Sequence, residues 1–583
     1  MKEYFNNISD LLHGNLHRLP ILVAVFFVTG GLDLFGLGLI GQYVATLIST
    51  QPVIEFHFEK WIGASALHQY TKSQIFGILL LAVFLVKTVM GSYSYYLMHA
   101  TVGKIEAKIR ADLLFGYQLM PYQQWASRNS SEYINAINVS AMQFCRHVLV
   151  PLIRLAADVL VAILILLLFA YVDLRAFAVF VSLICGIGFV YDLFIRRKSM
   201  SLGRRFHALS NEVISDVRHA MDGYKEIRIL GAEKYFNERI KTNARELCLS
   251  HAEIGTLGQL PRYLIEFAIV IFVVITASVV TAVGASPDYL IPVFGIFAAG
   301  SVRLVPVASL LSSATTNLRF YRDMIGQLAA DYRSFQAIRD CEAPPYGSCM
   351  VEKFETLETR GVWFAYEEAK DWALKNVNIR INSGEAVAFV GRSGAGKTTL
   401  VDLMLGLLEP GQGTVIVNGR IQDDSFRVLR GKVAYLPQNV FLIDDTLRRN
   451  VALGELDGMI DDEKVLEALR RTELGELVEE LPNGLDGLIG DRGLRLSGGQ
   501  RQRVALARAF YFGRDIIVLD EATSAIDQET ERVVVDEIMA LRGEKTLIVI
   551  THRPGVARRC DRVYQLKDGE IVQATPESVS SKH

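Results

Sequence analysis

Two stretches decide how this chain is read: Gly391-Arg392-Ser393-Gly394-Ala395-Gly396-Lys397-Thr398-Thr399, and farther on Leu496-Ser497-Gly498-Gly499-Gln500. In the first, glycines let backbone N–H groups turn inward onto phosphates, and the loop runs into a helix N-terminus whose dipole favours anions. Gly391, Ser393, Gly394, Gly396 and Thr399 are therefore expected around a nucleotide. Lys397 is expected to reach its β- and γ-phosphates, and Thr398 to ligate magnesium. Some 20 residues beyond the second stretch, Ile516-Ile517-Val518-Leu519-Asp520-Glu521 reads as a buried strand ending in two acids. Adjacent carboxylates on a strand point to opposite faces, so the two need not share one role.

A phosphate loop by itself says only that a nucleotide binds. Joined to Leu496-Ser497-Gly498-Gly499-Gln500 at this spacing, it resembles the ATP-binding cassette (ABC) proteins. In that family the pentapeptide of one subunit closes on ATP held by the other. The resemblance implies ATP contacts for Ser497, Gly498, Gly499 and Gln500, offered in trans, and thus two copies or a closely related partner. It implies that Asp520 holds Mg2+ through water and that Glu521 is the general base polarising the attacking water. It makes Gln438 the residue sensing the γ-phosphate and the metal, and His552 the residue positioning the γ-phosphate and Glu521. Tyr366 matches the aromatic that stacks on adenine. Ser524-Ala525-Ile526-Asp527 resembles the loop that carries Asp527 to the ATP, with Ile where Leu is usual. Gly490-Asp491-Arg492-Gly493 resembles an exporter motif, with Asp491 where Glu is usual.

The rest of the chain says where such a machine would sit. At 583 residues two or more domains are expected, and the mean hydropathy of +0.26 is high for a soluble protein. The net charge of -2, with acids and bases interleaved, gives no tail for a polyanion, so no nucleic-acid partner is expected. None of the six cysteines forms a Cys-x-x-Cys pair, which suggests neither a zinc site nor a disulfide framework. The N-terminus is mixed polar and is followed by an apolar run of full span length, so it does not read as a signal peptide.

Six stretches approach the roughly 20 apolar residues that a bilayer requires: 19–48, 74–99, 147–170, 174–196, 260–284 and 288–312. The third and fourth are joined at Val172-Asp173-Leu174, a tight hairpin. The loops on the other side are long and basic, with Arg196, Arg197, Lys198, Arg204 and Arg205 opening the longest. The positive-inside rule makes these loops and both termini cytoplasmic. Their helical patterning predicts extension of the spans into the cytoplasm. The less regular segments Met120–Ser131 and Gly223–Phe236 stand where ABC exporters carry short coupling helices. The expected organisation is a transmembrane domain over 1–335, a linker over 336–350, and an α/β P-loop nucleotide-binding domain over 351–583. The fold class is thus an all-α six-span domain fused to an α/β cassette. One chain carrying both Glu521 and the pentapeptide favours a symmetric homodimer.

Charges inside spans are expensive and are functional candidates. Arg154 with Asp158, and Arg262 with Glu266, are four apart and able to pair along one helix face. Lys87 and Arg303 have no obvious acid nearby in sequence. Lys87, Arg262 and Arg303 are therefore expected to line a cavity for an anionic head group. Pro261-Arg262-Tyr263, Arg303-Leu304-Val305-Pro306, Lys87 and Asn129-Ser130-Ser131-Glu132-Tyr133-Ile134 resemble the PglK-type flippases of lipid-linked oligosaccharides. So does the first external loop, Ser49 to Ser73. That resemblance implies a polyprenyl-pyrophosphate-linked glycan moved to the outer leaflet of a bacterial inner membrane, with ATP and Mg2+ as cofactors and membrane lipids around the spans. Alternatives are an exporter of other lipids, drugs or peptides and, in another class, an ATP-gated channel or a regulatory subunit.

Overall fold

The computed structural model describes residues 2–12, 14, 16–48, 72–283, 287–341, 353–366, 371–421, 429, 431–490, 493–521 and 528–574. The chain divides into two compact units. One comprises Met1–Met120 and Trp125–Ala343, the other Pro121–Gln124 and Pro344–His583.

The first unit is helical. Its elements are α1 (Lys2–Leu11), α2 (Leu19–Ile48), α3 (Lys72–Leu119), α5 (Ser130–Val172), α6 (Leu174–Asp222), α7 (Tyr224–Leu230), α8 (Glu233–Val283), α9 (Pro287–Phe320) and α10 (Arg322–Cys341), while α4 (Tyr122–Ala126) is divided, its first three residues being counted with the second unit. Among the described residues, five helices are long and apolar enough to cross a membrane: Leu19–Ile40, Gly77–Leu119, Ser130–Val172, Leu174–Asp222 and Glu233–Val279. The sixth expected stretch, 288–312, lies in the single helix α9. At 48, 49 and 51 residues, α3, α6 and α8 run to roughly 70–75 Å. A hydrocarbon core of about 30 Å cannot contain them, so each continues as a polar-patterned helix beyond it. The short helices α4 and α7 fall inside the two less regular segments. Helix α10 extends to Cys341, into the segment expected as linker; residues 342–350 of that segment lie outside the described residues.

Local chemistry explains the main joints. At the hairpin between α5 and α6, Asp173 leaves the helical region, and its carboxylate accepts from the N–H groups of Arg175 and Ala176 at 2.8 and 3.1 Å. It thereby caps the orphan donors of the next helix. Met98, Val102, Ile105, Ile109 and Leu113 form one buried stripe of α3. They share a core with Ile8 and Leu11 of α1, Phe144 of α5, and Ile325 and Leu328 of α10. Two π-helical turns, Ala136–Ser140 and Phe144–Leu149, interrupt α5 where it enters that core. Gly203 lets α6 touch the backbone of α9, because a Cβ there would stand 1.9 Å from the Phe320 carbonyl oxygen. Leu81, Leu85 and Val89 form an outward stripe on α3, as a lipid-facing helix requires.

The second unit carries two sheets. A four-stranded antiparallel sheet has the order β2-β1-β4-β5, built from β1 (Thr356–Phe364), β2 (Leu374–Asn382), β4 (Gln412–Val417) and β5 (Arg420–Ile421). A six-stranded sheet has the order β10-β9-β3-β8-β7-β6, from β3 (Ala386–Gly391), β6 (Val433–Leu436), β7 (Ile516–Asp520), β8 (Thr546–Ile550), β9 (Arg562–Lys567) and β10 (Glu570–Ala574). Its neighbours are parallel except β9 with β10. Every residue of β7 and β8 is buried, as expected of central parallel strands covered on both faces. Helix α11 (Lys397–Met404) follows β3, and helix α12 (Gly498–Phe512) belongs to a separate helical lobe with its own apolar core around Leu469, Leu474 and Val504.

Candidate functional site

Lys397, Thr398, Gln438, Asp520, Glu521 and His552 come together at the carboxyl ends of β3, β6, β7 and β8, where open parallel sheets place their ligand crevice, whereas Ser497–Gln500 stand apart from them at the start of α12. The loop after β3 has φ of 79° at Gly394 and 96° at Gly396, values that any side chain would strain. At Gly396 a Cβ would also come within 3.0 Å of the Ala373 carbonyl. Gly391 closes β3, with Arg392 and Ser393 following in the loop. Lys397, nearly buried, donates from Nζ to the carbonyls of Gly391 and Arg392, each at 3.0 Å. Burial lowers its pKa, while Glu521 and Asp520 oppose that shift. The ammonium is thus held against the carbonyls of the loop it follows.

The two acids diverge, but not by strand alternation. Asp520 ends β7, and Glu521 already lies beyond it in the left-handed region at φ 51°. For a non-glycine residue this is a strained conformation of the kind that clusters at functional sites. The turn sends Glu521 to one side, where Gln438 Nε2 donates to its Oε2 at 3.2 Å and His552 Nε2 stands 2.9 Å from its Oε1. His552 Nε2 is also 3.3 Å from Lys397 Nζ. Asp520 turns the other way and accepts on Oδ2 from Thr398 Oγ1 at 3.3 Å and from Tyr435 Oη at 3.1 Å. Burial raises the Asp520 pKa against these two hydrogen bonds.

Two residues near this site were not singled out from sequence. Tyr435 sits three positions before Gln438, and burial followed by the charge of Asp520 pushes its phenol up. Asp402 on α11 is pushed up to about 6 by burial and then by Asp520. Nothing local in the sequence announces either, because each owes its place to a partner on another element.

Tyr366 donates to or accepts from Thr399 Oγ1 at 3.0 Å and is about half exposed, leaving ring area open for a planar base. In the pentapeptide, Ser497 is the N-cap of α12. Its Oγ accepts from Gln500 N at 3.1 Å, and Gln500 Oε1 accepts from Ser497 N at 2.8 Å. This is a capping box, legible in retrospect as Ser-x-x-Gln. It holds Gly498 and Gly499 in the first turn of a helix whose dipole and free amides favour an anion. Asp491 and Asp527, and the segment 49–71 that was expected to contain most of an external loop, lie outside the described residues.

The membrane charges differ from expectation at one point. Lys87 and Arg303 do have an acid: Asp33 on α2. Lys87 Nζ lies 2.5 Å from Asp33 Oδ1, and Arg303 Nη2 lies 2.6 Å from Asp33 Oδ2. The pairing is invisible to helical spacing because three different helices supply the groups. Arg262 pairs with Glu266 one turn away at 3.0 Å, both exposed. Arg154 lies over the Tyr95 ring, 5.4 Å from its centroid, and Asp158 lies within electrostatic reach of Arg303, Arg154 and Asp33.

Comparison with known proteins accords with this architecture. Residues 374–524 match the family described as ABC transporter, and residues 19–283 match the ABC transporter transmembrane region. The chain is 31% identical over 501 residues to the ATP-dependent lipid A-core flippase of Cupriavidus pinatubonensis, covering 85% of this chain and 83% of that protein. It is 33% identical over 451 residues to the flippase of the same description from Burkholderia pseudomallei, covering 76% and 74%. The structure of a bacterial Atm1-family ABC exporter with ATP bound superposes with a TM-score of 0.75 at 19% identity, over 97% of both chains. The chain belongs to the ABC transporter family. It is an exporter-type half-transporter that binds ATP and couples its hydrolysis to translocation.

Proposed function

We propose that two copies of this chain flip a phosphorylated glycolipid from the cytoplasmic to the outer leaflet of a bacterial inner membrane, with both termini and the ATP-binding domain in the cytoplasm. The observation that carries the reading is the convergence of Lys87 and Arg303, from α3 and α9, on one point in the spanning helices. Lys87, Arg303 and Asp33 sum to one net positive charge per subunit, and the neighbouring Asp158 is offset by Arg154 one turn away, so the group as a whole suits an anionic head group. The lipid A-core flippases among its relatives and the PglK-like residues suggest the same chemistry: sugars joined through phosphate to apolar chains. Polyprenyl-pyrophosphate oligosaccharide and lipid A-core are the two substrates to compare.

In the cassette, Glu521 would accept the proton of the attacking water, held in orientation by Gln438 and His552. Lys397 would leave the loop carbonyls for the β- and γ-phosphates, and Tyr366 would stack on the base. Thr398 Oγ1 and Asp520 Oδ2, which stand together, and the side-chain oxygen of Gln438 would hold Mg2+ as an all-oxygen set, and the ion would neutralise phosphate charge. Ser497, Gly498, Gly499 and Gln500 would present the α12 amides to ATP on the second copy, with Asp527 beside them.

The test is translocation in proteoliposomes of each lipid separately, with and without ATP, beside Glu521→Gln. ATP-dependent movement of either lipid, lost in the variant, is the expected result. Hydrolysis that proceeds without movement of, or stimulation by, either lipid would remove the phosphorylated-glycolipid reading and favour another cargo.

A further inference from the structure

The site around Asp33 is built, not incidental. Gly30, one turn before Asp33, lets α5 close on α2: a Cβ there would fall 2.6 Å from Val161 Cγ2. Gly36, one turn after, admits Phe84 of α3, where a Cβ would meet its ring at 3.0 Å. The same Phe84 ring lies 4.8 Å beneath Lys87 Nζ. On α9, Gly300 precedes Arg303 by one turn and admits Phe169 of α5, whose ring a Cβ would meet at 2.4 Å. Small residues let membrane helices approach closely, and here they seat α2 against α3 and both α2 and α9 against α5, around the Asp33 carboxylate. The Asp33 side chain is 12% exposed, whereas Lys87 and Arg303 keep 33% and 29%. The acid is the covered member, and the cations are the accessible ones. Among the described residues Arg303 Nε and Asp33 Oδ1 are buried without a hydrogen-bond partner, so the guanidinium retains donor capacity and Lys87 meets Asp33 as an ion pair alone.

We propose that Asp33 is the resting counter-ion of the substrate site and sets the minimum charge that a lipid head group must bring. The proposal rests on the phosphorylated-lipid reading above. A carboxylate already shared by two cations satisfies them as well as any single negative charge can. A monoanionic phospholipid therefore gains nothing by replacing it. A head group with two or more charges and several acceptor oxygens can engage both cations and leave Asp33 as a bystander. Phosphatidylethanolamine, zwitterionic, and phosphatidylglycerol, singly charged, are excluded without any steric gate. The anion is lipid-borne because the site lies within spanning helices.

The experiment uses the full-length dimer in nanodiscs of phosphatidylcholine. Phosphatidylglycerol, a polyprenyl pyrophosphate or a lipid carrying two phosphates is added in turn, and soluble glycerol phosphate serves as the arm for a free anion. Native mass spectrometry reads lipid binding. ATP hydrolysis is expressed relative to each variant's own unstimulated rate. Wild type is expected to respond to the multiply charged lipids and not to phosphatidylglycerol or glycerol phosphate. Asp33→Asn is expected to gain a phosphatidylglycerol response, with apparent affinity at least about tenfold above wild type, and Asp33→Glu is expected to restore selection. Because Asp33→Asn leaves two unpaired cations, a second contrast avoids dependence on its folding. Lys87→Gln keeps the Asp33–Arg303 pair and should still reject phosphatidylglycerol, whereas Asp33→Asn with Lys87→Gln leaves Arg303 without its ion-pair partner, facing Asp158 only at longer range, and should accept it. If wild type discriminates but removal of Asp33 changes neither contrast, Asp33 is a structural pair and the proposal is overturned. If no lipid anion engages wild type or any variant, the phosphorylated-lipid reading falls, and the role of Asp33 falls with it.

Discussion

Replacing Glu521 by Gln tests the arrangement at the end of β7 more sharply than any other change. The substitution is isosteric and keeps a residue of similar backbone preference at φ 51°. Of its two contacts, an amide oxygen can still accept from Gln438 Nε2, and the amide nitrogen can face His552 Nε2 in its accepting tautomer. Lys397, Thr398 and Asp520 retain their own hydrogen bonds, so ATP should still bind. What disappears is a group able to take a proton from water. General-base assistance is worth roughly 10²–10⁴ in rate, or about 3–5 kcal/mol on the barrier. The assay is steady-state phosphate release in detergent or nanodiscs, with nucleotide retention measured in parallel. The expected outcome is a fall in kcat of at least about a hundredfold with ATP retained. Hydrolysis within a few-fold of wild type would refute the assignment of Glu521 and move the base elsewhere.

Tyr435→Phe removes the hydrogen bond to Asp520 while leaving the ring. Its expected cost of about 1 kcal/mol should raise the Mg2+ concentration for half-maximal hydrolysis several-fold with little change in ATP affinity at saturating metal; an unchanged metal titration would show Tyr435 to be only packing. Asp402 is expected to lower stability as pH rises, because its folded pKa of about 6 lies above its ordinary 3.8. Below about 4 both states are protonated, the deficit grows between about 4 and 6, and it levels off above that. Asp402→Asn should therefore stabilise the protein at pH 7.5 by about 1 kcal/mol after screening, read as a higher midpoint of thermal unfolding, and leave that midpoint unchanged near pH 4. Gly203→Ala places a Cβ against the Phe320 carbonyl, where no rotamer can relieve the clash. It should destabilise the helical unit by about 1–3 kcal/mol, read as a lower unfolding midpoint in detergent.

Much of the site could be read from sequence because its chemistry is local. The phosphate loop, the acids at the end of β7 and the Ser497–Gln500 capping box are each made by a few consecutive residues, so their spacing already implies their geometry. The long helices were legible for a related reason: a span and its polar continuation each leave a pattern of fixed period. What the sequence left open is everything in which one element answers another. Helical spacing left Lys87 and Arg303 without an acid, and only the packing of α2 on α3 at Gly36, and of α2 and α9 on α5 at Gly30 and Gly300, brings Asp33 to both. Strand alternation suggested how Asp520 and Glu521 separate, whereas the separation comes from a left-handed residue that a residue type cannot reveal. Tyr435 and Asp402 become part of the site only through Asp520. The sequence determined that this chain binds ATP beside a membrane domain, since those features are written in contiguous residues. Tertiary structure decided which charges stand free and which are already answered, because that depends on distances between residues far apart in the chain.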